Sequence, residues 1–512
     1  MKSKLSRRDF LKLGSALSLA PLLDVMPAMG PKRLAQGNEL PNVIIILFDA
    51  LAAFNLSLYG YPRATSPNLE RFAARANVYH AHHSAGNFTT PSTASLFTGA
   101  YPWTHRAFSL NSLISAPVTP YNVFHLLDDV YYQAAYTQNI FADTLLYQFE
   151  NYLYHHQGLD SFSLAGHTFY NHLFDNDAIH GLKSYDQFLF KRAEAHGSLF
   201  LSILNDLSIQ LPNRIQAQKL NEIHPNGLPR LANTDVYFLF EQIMDGVMGM
   251  LDESLPPSFT YLHLLPPHSP YVPTRQFQGM FDDGWTPMPK KRHPLSFRVP
   301  DERLNERRQM YDEFITNLDM ELGRLLDHMQ QTGLLDNSYV IVTSDHGEFF
   351  ERGVHGHSTP LLFEPVIRVP LLISAPGQRE RKDISALTSN IDLLPTLMHI
   401  AGLPIPDWCE GQVLPGLGGD ETPDRSAYVV EAKKNPAYQP LKKATIALLK
   451  GQYKLIYYLG YRDYDDEYEF YDLQNDPDEL ENLYPSHPIA RELKVELDQK
   501  LEEVNQPFLE NK

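Results

Sequence analysis

The 512-residue chain has one cysteine, Cys409. A lone thiol cannot close an intrachain disulfide, so no covalent framework is available to the fold. Long apolar runs are also missing. No stretch reaches the ~18 uninterrupted apolar residues that a spanning helix needs. Basic side chains are outnumbered, with 43 Lys and Arg against 61 Asp and Glu and a formal net charge of -18. A surface of that sign repels phosphate backbones and excludes nucleic acid as a partner. It also excludes long-range attraction of an anionic substrate, which must instead be captured at close quarters by a cation and imidazoles. Internal repeats are absent. Hydrophobic residues make up 43% and aromatics 12%, which excludes a disordered chain. The length accommodates one large core with an appendage, or two or three ordinary domains.

The N-terminus carries a paired arginine. Ser6-Arg7-Arg8-Asp9-Phe10-Leu11-Lys12 precedes an uncharged stretch, Leu13 to Leu23, with small residues near Ala28 and Gly30. Residues 1–30 resemble a bacterial twin-arginine signal peptide, whose partner is the twin-arginine export machinery. The expected location is periplasmic or secreted, with no transmembrane helix in the mature chain.

Two distant apolar runs carry the chemistry. Asn42 to Phe48 ends in Asp49, and Val340 to Thr343 ends in Ser344-Asp345-His346-Gly347-Glu348. Each has the length of a buried parallel strand with acceptor side chains at its C-terminal end, where open α/β sheets bind ligands. Helical patterns fall between such runs: a helix opening at Ser66-Pro67, another at Thr89-Thr90-Pro91-Ser92, an amphipathic helix from Arg307 to Met329, and one from Asp392 to Ala401. Thr260 to Leu265 and Pro370 to Ser374 read as further strands. The rhythm predicts a largely parallel sheet with helical crossovers. Beyond about residue 425 it changes to alternating strands (Ala444 to Leu449, Tyr453 to Tyr458) and a closing helix, Ile489 to Val504. This predicts a smaller C-terminal α+β subdomain over 426–512, appended to a catalytic α/β domain over 40–425. Within the latter, residues 110–255 form a variable insertion with helical patches such as Val236 to Leu251.

A buried carboxylate must be paired, metal-bound or neutralised. Asp49, Asp345 and His346 are therefore candidate ligands of one divalent metal. Their mixed oxygen and nitrogen donors favour Zn²⁺ or Mn²⁺, with Ca²⁺ as the third option. Thr89 stands at a helix start, where backbone N–H groups favour an anionic ester, and is the candidate nucleophile and fourth metal contact. Thr90 and Ser92 compete with it. His268, in the proline-rich loop Pro266 to Pro273, and His355 are candidates to hold transferring oxygens or to protonate a leaving group. His357 is a weaker candidate. Glu348, His82, His83 and His105 are spare donors with no assigned place.

These segments resemble, in order, the sulfatase family of the alkaline phosphatase superfamily. The resemblance runs through Pro41 to Asp49, Ser66 to Ala73, Ser92 to Pro102, Tyr136 to Asn139, Leu318 to Leu326, Ser344 to Glu348, Arg368 to Leu371, Asn390 to Thr396 and Tyr471 to Glu479. It implies an alkaline-phosphatase-like sandwich and a metal-dependent ester hydrolase or transferase with a covalent intermediate. The chain departs from the family pattern at informative places. Thr89 replaces the Cys or Ser that becomes formylglycine, Thr93 replaces an arginine, Ala50 replaces a second aspartate, and a lysine expected near Asn139 is missing. Asp49, Thr89, Asp345 and His346 instead resemble the one-metal, threonine-nucleophile set of the family's phosphoethanolamine and phosphoglycerol transferases. The expected activity is cleavage of a phosphoester of a small molecule, glycan or lipid through Thr89. Sulfate-ester hydrolysis without formylglycine and a catalytically silent anion-binding protein are the alternatives.

Overall fold

The computed structural model describes residues 40–110, 112–159, 161–164, 215, 218–230 and 237–509. The twin-arginine segment and part of the variable insertion, chiefly residues 165–214, lie outside the described residues.

The chain enters through β1 (Asn42–Phe48), turns into helix α1 (Pro67–Ala73), and returns as β2 (Asn77–His83). Helix α2 (Thr89–Thr98) follows, then β3 (Tyr132–Thr137), α3 (Ile140–Leu146) and the short β4 (His155–Gln157). Helix α4 (Phe240–Asp252) leads into β5 (Ser258–Leu264), and the long α5 (Asp301–Gln331) into β6 (Ser338–Ser344). A small hairpin, β7 (Phe350–Glu351) and β8 (Val354–His355), precedes β9 (Leu371–Ser374), β10 (Lys382–Ser389) and α6 (Leu393–Ile400). Strands β11 (Ser426–Glu431), β12 (Ala444–Lys450), β13 (Tyr453–Leu459) and β14 (Glu467–Asp472), with helix α7 (Pro488–Leu509), complete the chain.

Eight strands form one sheet in the order β10-β2-β9-β6-β1-β5-β3-β4. Pairing is parallel except where β9 meets β2 and β6. The centre of the sheet explains the continuous apolar run of β1. Its side chains alternate between two fully covered faces. Ile44, Ile46 and Phe48 pack with Ile243 and Met244 of α4 and Phe314, Leu318 and Leu322 of α5. Val43, Ile45 and Leu47 pack with Leu96 and Phe97 of α2, Leu145 of α3 and Leu393 of α6. Burial of each such side chain contributes about 1.5–3 kcal/mol, which fixes the register of the strands that carry the site.

The second sheet is antiparallel, β11-β12-β13-β14, with Leu493 and Leu497 of α7 packed on one face. Helix α5 runs further than its apolar stripe predicts, because Asp301 and Glu302 occupy its first turn and favour the positive end of the helix dipole. Strand β2, Asn77-Val78-Tyr79-His80-Ala81-His82-His83, was not anticipated. Its histidines hide the alternation that usually marks a strand. Among the described residues, no helix is long and apolar enough to cross a membrane.

Candidate active site

Three adjacent central strands end together. In the parallel register Phe48 of β1 lies opposite Ser344 of β6 and Leu264 of β5. The next residues of β1 and β6 are Asp49 and Asp345, so the two carboxylates emerge side by side. His263, one residue before the end of β5, points into the same space. Its Nε2 is 3.4 Å from Asp49 Oδ2 and 3.9 Å from Asp345 Oδ2. His346 closes the group, with Nε2 3.5 Å from Asp49 Oδ1 and 3.4 Å from Asp345 Oδ2. All four side chains are essentially inaccessible to solvent.

The tautomer of His346 follows from its surroundings. Its Nδ1 lies 2.9 Å from Gly347 O, a carbonyl that can only accept, so the proton is on Nδ1 and Nε2 offers a lone pair to the cluster. Burial lowers the pKa of His346 and keeps the ring neutral. Burial opposes the charge of Asp49, but His268, His263 and His346 outweigh it and hold the carboxyl well below its ordinary range. Asp345 moves the other way, raised by burial and by the charge of Asp49. Two carboxylates facing one space cannot both ionise cheaply unless a cation lies between them.

That requirement is visible in the hydrogen bonding. Asp49 Oδ1, Asp345 Oδ2 and His263 Nε2 are buried without a hydrogen-bond partner. Orphaned buried polar atoms are costly, and three converging on one space call for a shared ligand. One donor atom each from Asp49, His263 and Asp345 lies within 4.8 Å of the others. Donors ~2.0–2.1 Å from a tetrahedral zinc ion stand about 3.3 Å apart, so the spacings suit a divalent cation after slight contraction. The donor set fits a metal that accepts imidazole as well as carboxylate.

Thr89 opens α2, a helix whose ten residues are all buried. Its Oγ1 lies 3.5 Å from His346 Nε2 and accepts from Asn139 Nδ2 at 3.1 Å. Asn139 also donates to Asp49 Oδ2 at 2.5 Å. The amide orientation is settled by the helix it caps, because its Oδ1 accepts from Phe141 N and Ala142 N at the start of α3. The competing hydroxyls are engaged elsewhere. Thr90 donates to Leu110 O at 2.7 Å, and Ser92 Oγ accepts from Ser84 Oγ at 2.9 Å.

The histidine loops cover this centre. His357 packs on His346 with ring centroids 4.1 Å apart and on His268 at 5.0 Å. Its Nδ1 lies 3.3 Å from Glu348 Oε1. Burial works against the Glu348 charge, but His357, His268 and His355 bring the carboxyl down to about 2. His268 donates Nδ1–H to Ser269 O at 2.7 Å, which leaves Nε2 free. Burial disfavours its charge, yet Asp49 and Glu348 outweigh burial and raise its pKa. His355 is placed differently from expectation. Its Nδ1 accepts from Arg307, and its Nε2 lies 3.1 Å from Tyr271 OH, so both nitrogens are spent away from Thr89. Burial lowers its pKa.

The spare donors also find places. His82 meets Thr388, His83 meets Glu364, and His105 meets Ser95, each in a buried contact outside the cluster. Ala50 has a left-handed backbone, φ 62°, held by Ala50 N–H to Asp345 Oδ1 at 3.2 Å and by Tyr311 OH on its carbonyl. It presents backbone, not a side-chain ligand, to the site. Sequence reasoning overlooked His263 and the role of Asn139. The signal for His263 was an imidazole one residue before the end of an otherwise apolar buried strand.

Comparisons with known proteins identify the family and the fold. The sulfatase family model matches residues 41–403, and that of the N-sulphoglucosamine sulphohydrolase C-terminal region matches residues 353–507. Choline-sulfatase of Rhizobium meliloti (strain 1021) is 26% identical over 472 residues, covering 86% of this chain and 82% of the relative. N-acetylglucosamine-6-O-sulfatase of Bacteroides thetaiotaomicron is 32% identical over 200 residues, covering 38% of this chain and 35% of the relative. The solved phosphonate monoester hydrolase of Agrobacterium radiobacter superposes with a TM-score of 0.64 at 20% identity, over 91% of this chain and 96% of the other. The architecture is thus the alkaline-phosphatase-like α/β sandwich with a small C-terminal sheet.

Proposed function

The chain belongs to the sulfatase family and is an ester hydrolase, and from that premise we propose that it cleaves a phosphoester through a covalent intermediate on Thr89. The observation that carries this reading is the position of Thr89 Oγ1, 3.5 Å from His346 Nε2 and 3.1 Å from Asn139 Nδ2, beside three orphaned buried donors. Threonine cannot be oxidised to the formylglycine aldehyde, so the residue must act as a hydroxyl. In this reading Asp49, His263, Asp345 and His346, with Thr89 adjoining, would hold one divalent cation. That cation would supply Lewis acidity for the ester and lower the pKa of a nearby hydroxyl.

The remaining work falls to the chain's own groups. Asn139 donates to Thr89 Oγ1 and so favours the oxygen in its anionic form. Thr89 Oγ1, its proton released to solvent, bonds to phosphorus as the bond to the leaving oxygen breaks. His268, whose Nδ1 is committed to Ser269 O, offers the proton on Nε2 to that oxygen. His357, between His346 and His268, faces the non-bridging oxygens. His355 orients this loop through Arg307 and Tyr271. Water then attacks phosphorus, giving a proton to the now neutral His268, and the departing Thr89 oxygen takes a proton from solvent to regain its hydroxyl; in a transferase an acceptor hydroxyl takes the place of water.

Sulfate-ester hydrolysis is the second reading, favoured by what the relatives' names say they act on. The substrate is a small-molecule, glycan or lipid ester. Residues 1–30 direct export by the twin-arginine route to the periplasm or beyond, which fractionation of wild type and an Arg7→Lys, Arg8→Lys variant tests.

A panel of aryl phosphate, phosphodiester, phosphonate monoester and aryl sulfate, each with Zn²⁺, Mn²⁺ or Ca²⁺, separates the readings. Phosphoester turnover that disappears in Thr89→Ala, with a phosphorylated Thr89 peptide in acid-quenched wild type, is the expected result. Turnover of sulfate alone, undiminished in Thr89→Ala, sinks the proposal.

A further inference from the structure

Among the described residues, one ammonium group near the cleft, that of Lys433, makes no ion pair with a carboxylate. Lys433 follows β11, and its Nζ lies over the Phe88 ring, 5.3 Å from the centroid, while donating to Ser358 Oγ. The acidic side chain two residues earlier is engaged otherwise. Glu431 Oε1 accepts the backbone N–H of Lys433 at 3.1 Å, and its Oε2 accepts from Tyr461 OH at 2.6 Å. Among the described residues no carboxylate forms an ion pair with the Lys433 ammonium, although the chain as a whole carries a net charge of -18. Lys433 is half-buried. Burial lowers its pKa, with Glu431 pulling upward and Lys434 downward. A cation–π contact returns less than an anion hydrogen-bonded to the ammonium does.

The two partners of Lys433 locate it. Phe88 is the residue before Thr89, and Ser358 is the residue after His357. The two segments are tied together by Asn87 Nδ2, which donates to His357 O at 2.9 Å and Thr359 O at 2.7 Å. Lys433 thus touches the neighbour of the nucleophile on one side and the neighbour of the His357 imidazole on the other. It stands one residue outward from the reacting centre on both.

We propose that Lys433 is a specificity residue that receives a second anionic group of the substrate, a carboxylate, sulfate or phosphate carried outside the ester being cleaved. This rests on the reading of Thr89 and its surroundings as the ester-cleaving centre. The C-terminal sheet supplies the selecting charge, and the strand ends of the large sheet supply the chemistry.

The test uses two aryl esters of the class that wild type turns over, identical except for a ring carboxylate on one. Lys433→Met keeps the apolar stem over Phe88 and removes the charge. It should lower the ratio of kcat/KM for the carboxylated over the plain ester by about 10-fold or more, through KM and not kcat. Lys433→Arg should restore the ratio. In wild type the same ratio should fall as NaCl is raised, which needs no variant. An unchanged ratio in Lys433→Met, or equal losses on both esters, overturns the inference and leaves the cleaving centre intact. Persistent turnover of both esters by Thr89→Ala overturns the underlying reading instead. A sulfate- or phosphate-bearing aryl ester in place of the carboxylated one identifies which anion is preferred.

Discussion

The side-chain amide of Asn139 donates from one nitrogen to Thr89 Oγ1 at 3.1 Å and to Asp49 Oδ2 at 2.5 Å. The other end of the amide caps α3. One residue therefore couples a helix terminus to the oxygen proposed to attack. Asn139→Ala should lower kcat by roughly 10²-fold, the scale of losing one positioned donor in an active site. It should also cost about 1 kcal/mol through the lost cap. Steady-state kinetics and urea unfolding measure the two effects separately. Wild-type kcat in this variant would show that the amide does not steer Thr89.

Thr89 gives the sharpest substitution series. Thr89→Ala should lower kcat by at least about 10³-fold, as removal of a nucleophile does. Thr89→Ser keeps the hydroxyl but gains rotamer freedom, and should stay within about tenfold of wild type. Burst kinetics with an aryl phosphate should show a covalent phase in wild type and Thr89→Ser and none in Thr89→Ala. Equal activity of all three proteins would place the nucleophile elsewhere.

Ala50, at the position of a second aspartate in the family pattern, is left-handed and offers only backbone, whereas His263 reaches the cluster from the end of β5. Its Nε2 is 3.4 Å from Asp49 Oδ2. Purified wild type should hold about one divalent metal per chain. His263→Ala should weaken metal retention by about 100-fold or more. Elemental analysis after dialysis against graded chelator checks this. A variant that binds metal as tightly as wild type would remove His263 from the coordinating group.

Much of this arrangement was legible in the sequence because strand ends are local. Asp49 and Asp345 each close an apolar run that only a buried central strand explains, and their adjacency follows from the parallel register of β1 and β6. The opening of α2 at Thr89 was legible from Pro91, which a first turn tolerates, although the N-cap is Phe88 and no side chain caps the helix. His263 was hidden because it sits inside a strand pattern, where one polar residue reads as packing. Its meaning depends on pairing with Leu47 of β1, a contact that sequence spacing does not encode. His355 looked like a site residue because it follows the Asp-His-Gly-Glu segment. The β7–β8 hairpin instead directs it to Arg307 and Tyr271. Lys433 was invisible for a similar reason, since it arrives near the cleft from the second sheet.

Chelation offers a test that involves no substitution. Without a cation, Asp49 and Asp345 share a buried space in which two imidazoles, the Asn139 amide and backbone N–H groups are their partners, and Asp49 Oδ1 and Asp345 Oδ2 stay orphaned. Removing the metal should lower the thermal midpoint as well as activity, and readdition of Zn²⁺ or Mn²⁺ should restore both. Stabilisation should grow with free metal concentration. A midpoint insensitive to chelator, in protein shown to be metal-free, would mean that the cluster is satisfied by protons alone.

The second sheet is tied to the first by a buried ion group, and the pH response of its Glu364 carboxyl has a definite sign. Lys454 of β13 is fully buried, with Nζ 3.0 Å from Glu364 Oε1 and a further contact to Glu479, and His83 Nε2 lies 3.1 Å from Glu364 Oε2. Burial alone would raise the Glu364 pKa, but Lys454 and His83 outweigh it and hold the carboxyl far below its ordinary value of 4.5. A carboxyl depressed in the folded state stabilises the protein above its unfolded pKa and loses that contribution as pH falls toward the folded value. The destabilisation caused by Glu364→Gln should therefore be full near neutrality and shrink steadily below about pH 4.5. Lys454→Met strands the buried Glu364 carboxylate and should cost about 3–5 kcal/mol at pH 7. Urea unfolding of wild type and both variants from pH 7 down to pH 4 measures these differences. A Glu364→Gln effect that grew on acidification would reverse the assigned sign, and with it the view that this carboxylate is ionised in the folded protein.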